Sequence, residues 1–266
     1  MQDTMQQQIL VHEADGVLEL CFNRPGKKNA ITGAMYDALT AALLDAAERT
    51  AIRVVLIAGS GETFTAGNDI KDFLGMTGGL GDTPPSRFIH AIATFTKPLV
   101  AAVHGPAIGV GATLLLHCDL VYASPDASLL VPFVDLGLVP EAGSSMLLPM
   151  RVGYARAAAL LMLGEAMDAQ EALAAGLVNA IVPVDALHGH ARAKALKLAS
   201  KPPGALAATR ALMRGDLGAL HAHMRQESAA FSQALKGAEA KEAFTAFLER
   251  RQPNFDSAAL PNRSVA

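Results

Sequence analysis

The chain has 266 residues, of which 51% are hydrophobic and 18% charged, a balance that excludes disorder over most of its length. Its formal net charge of -3 provides no broad basic face, which argues against nucleic acid as a partner. Residues 1–8 lack the features of a signal peptide, and no apolar run reaches the ~20 residues of a membrane span, so we expect a cytoplasmic protein without a membrane segment.

The first part of the chain alternates β-rich runs with helical patterns. Strands are predicted at 17–22, 53–58, 99–103 and 119–123, and helices at 33–49 and 112–117. Thr32 is the expected N-cap of the first helix, because apolar residues follow it at helical spacing. This alternation predicts a largely parallel sheet with crossover helices.

Beyond residue 143 the pattern becomes mainly helical. A short strand is predicted at 178–182, and helices at 154–163, from about 168, at 186–199, at 204–213 and at 220–248. We therefore expect an α/β core domain at residues 1–200 and a helical region at residues 201–266, joined at Lys201-Pro202-Pro203. The glycine-rich stretch 75–81 is predicted to be a mobile loop.

Two predicted strands end in glycine-containing turns that lead toward helices. The turns are Phe64-Thr65-Ala66-Gly67-Asn68-Asp69-Ile70 and Gly105-Pro106-Ala107-Ile108-Gly109-Val110-Gly111. Such turns can direct free backbone N–H groups at one anionic atom, although most glycines between a strand and a helix only permit tight packing. The second turn has the order G-x-x-x-G-x-G, which argues against the G-x-G-x-x-G fingerprint of a dinucleotide site.

Five segments of the chain together resemble, in order and spacing, the crotonase (enoyl-CoA hydratase/isomerase) superfamily. They are Phe22-Asn23-Arg24-Pro25-Gly26-Lys27-Lys28-Asn29-Ala30, Phe64-Thr65-Ala66-Gly67-Asn68-Asp69-Ile70-Lys71, Lys97-Pro98-Leu99-Val100-Ala101-Ala102-Val103-His104-Gly105, Cys118-Asp119-Leu120-Val121-Tyr122-Ala123-Ser124 and Ala174-Ala175-Gly176-Leu177-Val178-Asn179. Any one of them is common, whereas all five in this order are specific.

The resemblance implies an α/β fold of the ClpP/crotonase type, a spiral of ββα units with a helical C-terminal region that forms trimers. The implied ligand is an acyl-CoA thioester, so coenzyme A arrives with the substrate and no separate cofactor is expected. The implied oxyanion hole consists of the backbone N–H groups of Asn68 and Val110, which makes both side chains incidental. The implied assembly is a homotrimer or a dimer of trimers.

The resemblance also implies where coenzyme A binds. The expected contacts are Lys27 and Lys28 near the phosphates, and Ala66, Asp69 and Ile70 near the adenine. Arg250 or Arg251 would add positive charge from the last helix. Taken singly, each of these cations is as readily explained as a solvated surface residue.

The choice of reaction depends on carboxylates. Hydratases of this family carry two glutamates that position water, and the matching positions here hold Thr113 and Phe133, which disfavours hydration. Glu141 matches the single catalytic glutamate of the Δ3,Δ2-enoyl-CoA isomerase branch, although a lone glutamate after proline is usually an exposed loop residue. Asp135 is the alternative acid, or a cap of its local turn.

The sequence therefore predicts an isomerase that uses Glu141 to convert 3-enoyl-CoA to 2-trans-enoyl-CoA. An apolar wall including Phe133 would exclude water and raise the pKa of Glu141 by desolvation. Another crotonase reaction, such as weak hydration or thioester hydrolysis, and a non-catalytic acyl-CoA-binding protein are the alternatives.

The remaining reactive side chains are interpreted as structural. His104 and His117 lie in apolar runs typical of core histidines, and Cys21 and Cys118 are predicted to be buried free thiols. Asp119 is assigned a structural role at a strand start. No cluster of ligands has metal-binding spacing, so no metal site is expected.

Overall fold

The computed structural model describes residues 7–75 and 82–256. The predicted mobile loop at 75–81 lies outside the described residues except for Gly75. The two ends of the chain, 1–6 and 257–266, lie outside them as well.

Strands of the described residues form two sheets. The larger sheet has the order β1 (Ile9–Ala14), β2 (Val17–Phe22), β3 (Val54–Gly59), β4 (Leu99–Val103), β6 (Leu120–Ala123) and β9 (Ala180–Ile181). Only β1 and β2 pair antiparallel within it. The smaller sheet has the order β5 (Pro106–Ile108), β7 (Ser128–Leu130) and β8 (Met167–Asp168), with β5 and β7 parallel.

The chain passes twice from the larger sheet to the smaller one, because β4 is followed by β5 and β6 by β7. The successive strand pairs β4–β5 and β6–β7 are the ββ parts of the predicted spiral of ββα units. The α-helices of the described residues are α1 (Gly33–Glu48), α2 (Ile70–Gly75), α3 (Pro84–Thr94), α4 (Val110–Thr113), α5 (Ser144–Val152), α6 (Tyr154–Met162), α7 (Ala169–Ala174), α8 (Val184–Ala199), α9 (Pro203–Arg214), α10 (Leu217–Leu235) and α11 (Ala238–Glu249).

Most predicted elements are confirmed. The strand at 17–22 has the predicted bounds, and Thr32 caps α1 by accepting a hydrogen bond from the Met35 N–H. The single helix predicted over 220–248 is wrong, because α10 ends and α11 begins around Gly237, whose N–H donates to the Ala234 carbonyl. The helix predicted at 112–117 begins at Val110 as α4 and continues from Leu114 as a 3-10 helix.

Two apolar layers enclose the larger sheet. On one face α8 packs through Leu187, Ala191 and Ala195. On the other face lies the main core, which includes Phe231 of α10 and Phe244 of α11. The helical C-terminal region therefore shares its core with the α/β part, and the domain boundary at residue 200 stays a prediction.

The two cysteines differ in their burial. Cys118 is buried, as predicted, whereas Cys21 is only half-buried, so the expectation for Cys21 is wrong. Cys21 shares a face of β2 with Glu19, which is itself only half-buried. Both cysteines are free thiols.

Candidate active site

Backbone hydrogen bonds hold the two glycine-containing turns side by side. The Thr65 N–H donates to the Pro106 carbonyl at 3.2 Å, and the Ile108 N–H donates to the Thr65 carbonyl at 3.0 Å. A Cβ atom on Gly67 would lie 2.6 Å from the Ile108 carbonyl oxygen, so only glycine permits this approach. Pairing between the turns brings Asn68 and Val110 to the same site.

The N–H groups of Asn68 and Val110 donate no hydrogen bond within the described residues. Asn68 lies in a parallel bridge with Ile31, and the bonds of that bridge use the N–H groups of Ile31 and Asp69 instead. Val110 is the first residue of α4, where a helix has no internal acceptor for the N–H. The structure thus places two free donors on neighbouring turns.

A cavity of about 390 Å³ adjoins these donors. Asn68 and Val110 line it together with Tyr36, Glu141 and, on the C-terminal side, several residues of α10. Asn68 and Val110 also line a smaller cavity of about 60 Å³, which contacts Ala66 and Ile70. A ligand that spans both cavities would pass between the two free N–H groups.

Glu141 is the one carboxylate among the described residues that line the larger cavity. Its Oε1 accepts a 2.5 Å hydrogen bond from the Thr113 hydroxyl, while its buried Oε2 has no partner among the described residues. Desolvation, with a smaller contribution from the charge of Glu227, raises the pKa of Glu141 to about 8, and the Thr113 hydrogen bond opposes this shift. The carboxylate can therefore gain and lose a proton near neutral pH.

The backbone after Glu141 is held from two sides. Ala142 has a φ of 58°, and its carbonyl lies 2.8 Å from Nε2 of the buried His117. Gly143 and Ser145 donate their N–H groups to the carboxylate of Glu227 on α10 at 2.5 and 2.9 Å. These contacts fix the turn that presents Glu141 to the cavity.

Tyr36 and Glu227 are polar residues near Asn68 and Glu141 that the sequence did not predict. The Tyr36 hydroxyl donates to Oδ1 of Asn68 at 2.5 Å, so the Asn68 side chain has a partner rather than being incidental. Tyr36 follows Met35 on the buried face of α1, and helical spacing could have indicated it. Glu227 lies among polar residues of α10, and no local sequence signal separates it from a solvated glutamate.

The predicted coenzyme A residues are only partly brought together. Ala66 and Ile70 line the smaller cavity, whereas Lys27 and Lys28 are exposed. The Asp69 carboxylate instead forms a 2.7 Å salt bridge with Arg24. At the last helix, Arg251 pairs with Glu242 and Glu249, whereas Arg250 forms no salt bridge within the described residues.

Phe133 and Asp135 occupy different surroundings. Phe133 is buried but lines the smaller cavity, so the apolar wall of the larger cavity is formed instead by Phe73 and Phe231. Asp135 is exposed and lines neither cavity; its carboxylate lies against Gly164. The structure therefore separates Asp135 from the two N–H donors.

Asp119 and His104 lie outside the buried core, so the expectation of a core histidine at His104 is wrong. Asp119 accepts hydrogen bonds from the Leu99 N–H and from the buried Arg210 of α9, both at 2.8 Å. His104 is half-buried, and desolvation lowers its pKa.

Within residues 7–75 and 82–256, no group of three or more His, Cys, Asp or Glu residues could hold a metal ion. No helix in these residues combines the length and apolarity needed to cross a membrane.

Comparison with known proteins agrees with this fold and site. The family model described as enoyl-CoA hydratase/isomerase matches residues 12–258. A solved enoyl-CoA hydratase/isomerase from Pseudoalteromonas atlantica is 43% identical, with a TM-score of 0.89 over 94% of this chain and 100% of that one. The chain belongs to the enoyl-CoA hydratase/isomerase family of acyl-CoA enzymes, whose fold is that of the crotonases.

Relatives within the family catalyse different reactions, as their names state. Enoyl-CoA delta isomerase 2 of Rattus norvegicus is 34% identical over 91% of this chain, and the chain spans only 64% of that protein's length. The 2,3-dehydroadipyl-CoA hydratase of Escherichia coli is 36% identical over 93% of this chain and 98% of its own. Because the chain is about equally identical to an isomerase and to a hydratase, sequence identity does not decide its reaction, and the site has to.

Proposed function

We propose that this protein is a Δ3,Δ2-enoyl-CoA isomerase that converts 3-enoyl-CoA to 2-trans-enoyl-CoA. The observation that carries the proposal is Glu141, the one carboxylate that the described residues contribute to a cavity in which the N–H groups of Asn68 and Val110 have no acceptor among those residues. An isomerase needs one base and one oxyanion hole, whereas a hydratase also needs groups that position water.

The proposed reaction begins with the thioester carbonyl oxygen between the N–H groups of Asn68 and Val110. Glu141 removes a proton from carbon 2, and the electron pair moves onto the carbonyl oxygen to form a dienolate. The two N–H groups stabilise this charge, and one such donor contributes roughly 3 to 4 kcal/mol. The same carboxyl then returns the proton to carbon 4, so no water is consumed.

The surroundings of Glu141 support a role as proton carrier. Its free Oε2 is the atom available to the substrate, because Oε1 is held by Thr113. A pKa of about 8 places the base close to the working pH, where general base catalysis is most effective. Phe73 and Phe231 supply the apolar wall that keeps water from the dienolate.

Coenzyme A is proposed to pass along the smaller cavity, with its adenine near the backbone of Ala66 and Ile70. Lys27 and Lys28, exposed on the adjoining loop, would meet the phosphates from solvent. Asp69, whose carboxylate forms a salt bridge with Arg24, is proposed to contact coenzyme A from the same turn. The proposed assembly is a homotrimer or a dimer of trimers.

The direct test is an assay of double-bond migration in 3-hexenoyl-CoA, followed by the absorbance of the conjugated product. We expect turnover to 2-trans-hexenoyl-CoA. Failure with short, medium and long 3-enoyl chains would contradict the proposal.

Hydration is the second candidate, because the E. coli relative is named as a hydratase. Product analysis after incubation with 2-enoyl-CoA in oxygen-labelled water separates the two reactions. An isomerase incorporates no label, whereas net incorporation into a 3-hydroxyacyl product identifies a hydratase.

A further inference from the structure

The larger cavity extends along α10, away from the two free N–H groups. His221, Arg225, Ser228 and Phe231 line it from one face of this helix. Phe231 also lines the smaller cavity beside Asn68, so it marks the oxyanion end. With a rise of 1.5 Å per residue, His221 lies about 15 Å further along the helix than Phe231.

The remote end of the cavity carries two imidazole side chains and one guanidinium. His90 of α3 faces His221 with 6.0 Å between ring centroids, and Arg225 lies one helical turn after His221. Glu141, at the other end, is the one acidic residue of the lining in the part of the chain that is described. His90 and Arg225 are exposed and His221 is half-buried, so an alkyl tail that reached this end would leave the apolar wall for a polar surface in contact with solvent.

Two of these side chains, Arg225 and His221, have polar atoms without a partner among the described residues. Arg225 forms no salt bridge within the described residues, whereas Arg87 and Arg192 each pair with two carboxylates. The Nε2 atom of His221 is buried and has no hydrogen-bond partner among the described residues. Desolvation and the nearby charges of His90, Arg225 and Arg214 lower the pKa of His221, an effect that a bound anion would oppose.

We propose that this end of the cavity binds a carboxylate at the far end of the acyl chain, so that the preferred substrate is a short dicarboxylic acyl-CoA. Arg225, about 9 Å along the helix from Phe231, provides the charge for a six-carbon chain, whereas His221 at about 15 Å could donate only to the carboxylate of a longer one. This proposal rests on the proposed function in one respect, because it assumes that the thioester lies at the end of the cavity formed by Asn68 and Val110.

The kinetic test compares the mono-CoA thioester of 3-hexenedioic acid with 3-hexenoyl-CoA, which differ only in the terminal carboxylate. We expect the wild type to prefer the dicarboxylic substrate in kcat/KM. Arg225→Met should reduce that preference about tenfold, equivalent to about 1.4 kcal/mol, mainly through KM. Arg225→Lys should retain most of it.

A matched control is Lys236→Met, which removes an exposed cation that follows the last residue of α10 and does not line the cavity. This variant should keep the wild-type preference. Repeating the comparison with N-acetylcysteamine thioesters, which have no phosphates, separates binding of the terminal carboxylate from binding of coenzyme A. An effect of Arg225→Met that disappears with these thioesters, or that is equal for both acyl chains, would overturn the inference.

Calorimetry with saturated ligands makes the test independent of turnover. Adipoyl-CoA should bind the wild type more tightly than hexanoyl-CoA, and Arg225→Met should abolish the difference. This result without turnover of any 3-enoyl-CoA would support the carboxylate subsite and reject the isomerase. Equal or tighter binding of hexanoyl-CoA would reject the subsite.

Discussion

The Thr113 hydroxyl and the burial of Glu141 together set the pKa of the Glu141 carboxyl. Burial raises the pKa of Glu141, and the Thr113 hydroxyl limits the rise because it donates to the ionised form. The position where hydratases carry a glutamate thus holds a residue that contacts the proposed base. Thr113 therefore supports proton transfer by Glu141 instead of acting as a catalytic group itself.

The pH dependence follows from this pair. Because the active base is deprotonated, kcat/KM for 3-enoyl-CoA should rise with pH through about 8 in the wild type. Thr113→Val removes a donor to the carboxylate, so the midpoint should move to higher pH and activity at pH 7 should fall about tenfold. A pH–rate profile measures both effects. A midpoint that stays in place in Thr113→Val would contradict this role.

Local patterns predicted some site residues and missed others. Asn68, Val110 and Glu141 lie in segments whose order along the chain is distinctive, and all three line the same cavity. The contribution of Glu227 was not predictable, because its contact with Gly143 joins residues 84 positions apart. Only the packing of α10 on the core brings them together.

At the scale of elements, α10 caps α5. The Glu227 carboxylate accepts from the Gly143 and Ser145 N–H groups, where a carboxylate also interacts favourably with the helix dipole. The same charge raises the pKa of Glu141. One residue therefore links helix packing to the acidity of the proposed base.

Glu227→Gln should have two separable effects. Loss of charge-assisted hydrogen bonds should lower the free energy of unfolding by about 1–3 kcal/mol, measurable by denaturant titration. Loss of the neighbouring charge should move the midpoint of the pH–rate profile to lower pH. A less stable variant with an unchanged profile would limit Glu227 to a structural role.

Length alone did not decide which elements were predicted, because β1 with six residues and α3 with 11 were both missed. The buried runs of β2 and β4 carry enough β-rich sequence to be recognised, whereas β5, β7 and β8 have only two or three residues each and depend on pairing between distant segments. The break at Gly237 was missed because helical spacing continues on both sides of it. A glycine after Lys236 is the usual signal of a helix end.

At the scale of the whole molecule, the C-terminal helices complete the site and expose an apolar surface. Gly137 lies so close to α11 that a Cβ atom would be 2.6 Å from the Ala240 nitrogen, which holds α11 against the core. On α9, Leu212 and Met213 are each 83% exposed. Neighbouring exposed apolar side chains of this size are typical of interfaces between subunits.

The proposed trimer predicts a solution mass three or six times that of one chain by light scattering. The double variant Leu212→Glu with Met213→Glu should dissociate it, because charges would be buried at the interface. Leu44→Glu, at an exposed position of α1, is the matched control and should leave the mass unchanged. A monomeric wild type at all concentrations would contradict the assembly.

Glu141 is proposed to carry the proton between carbon 2 and carbon 4 of a bound 3-enoyl thioester. The most direct measurement is kcat for 3-hexenoyl-CoA in the wild type and in Glu141→Gln, which preserves shape but cannot act as a base. We expect Glu141→Gln to lower kcat by at least about 100-fold with the substrate still bound. Full activity of Glu141→Gln would contradict it.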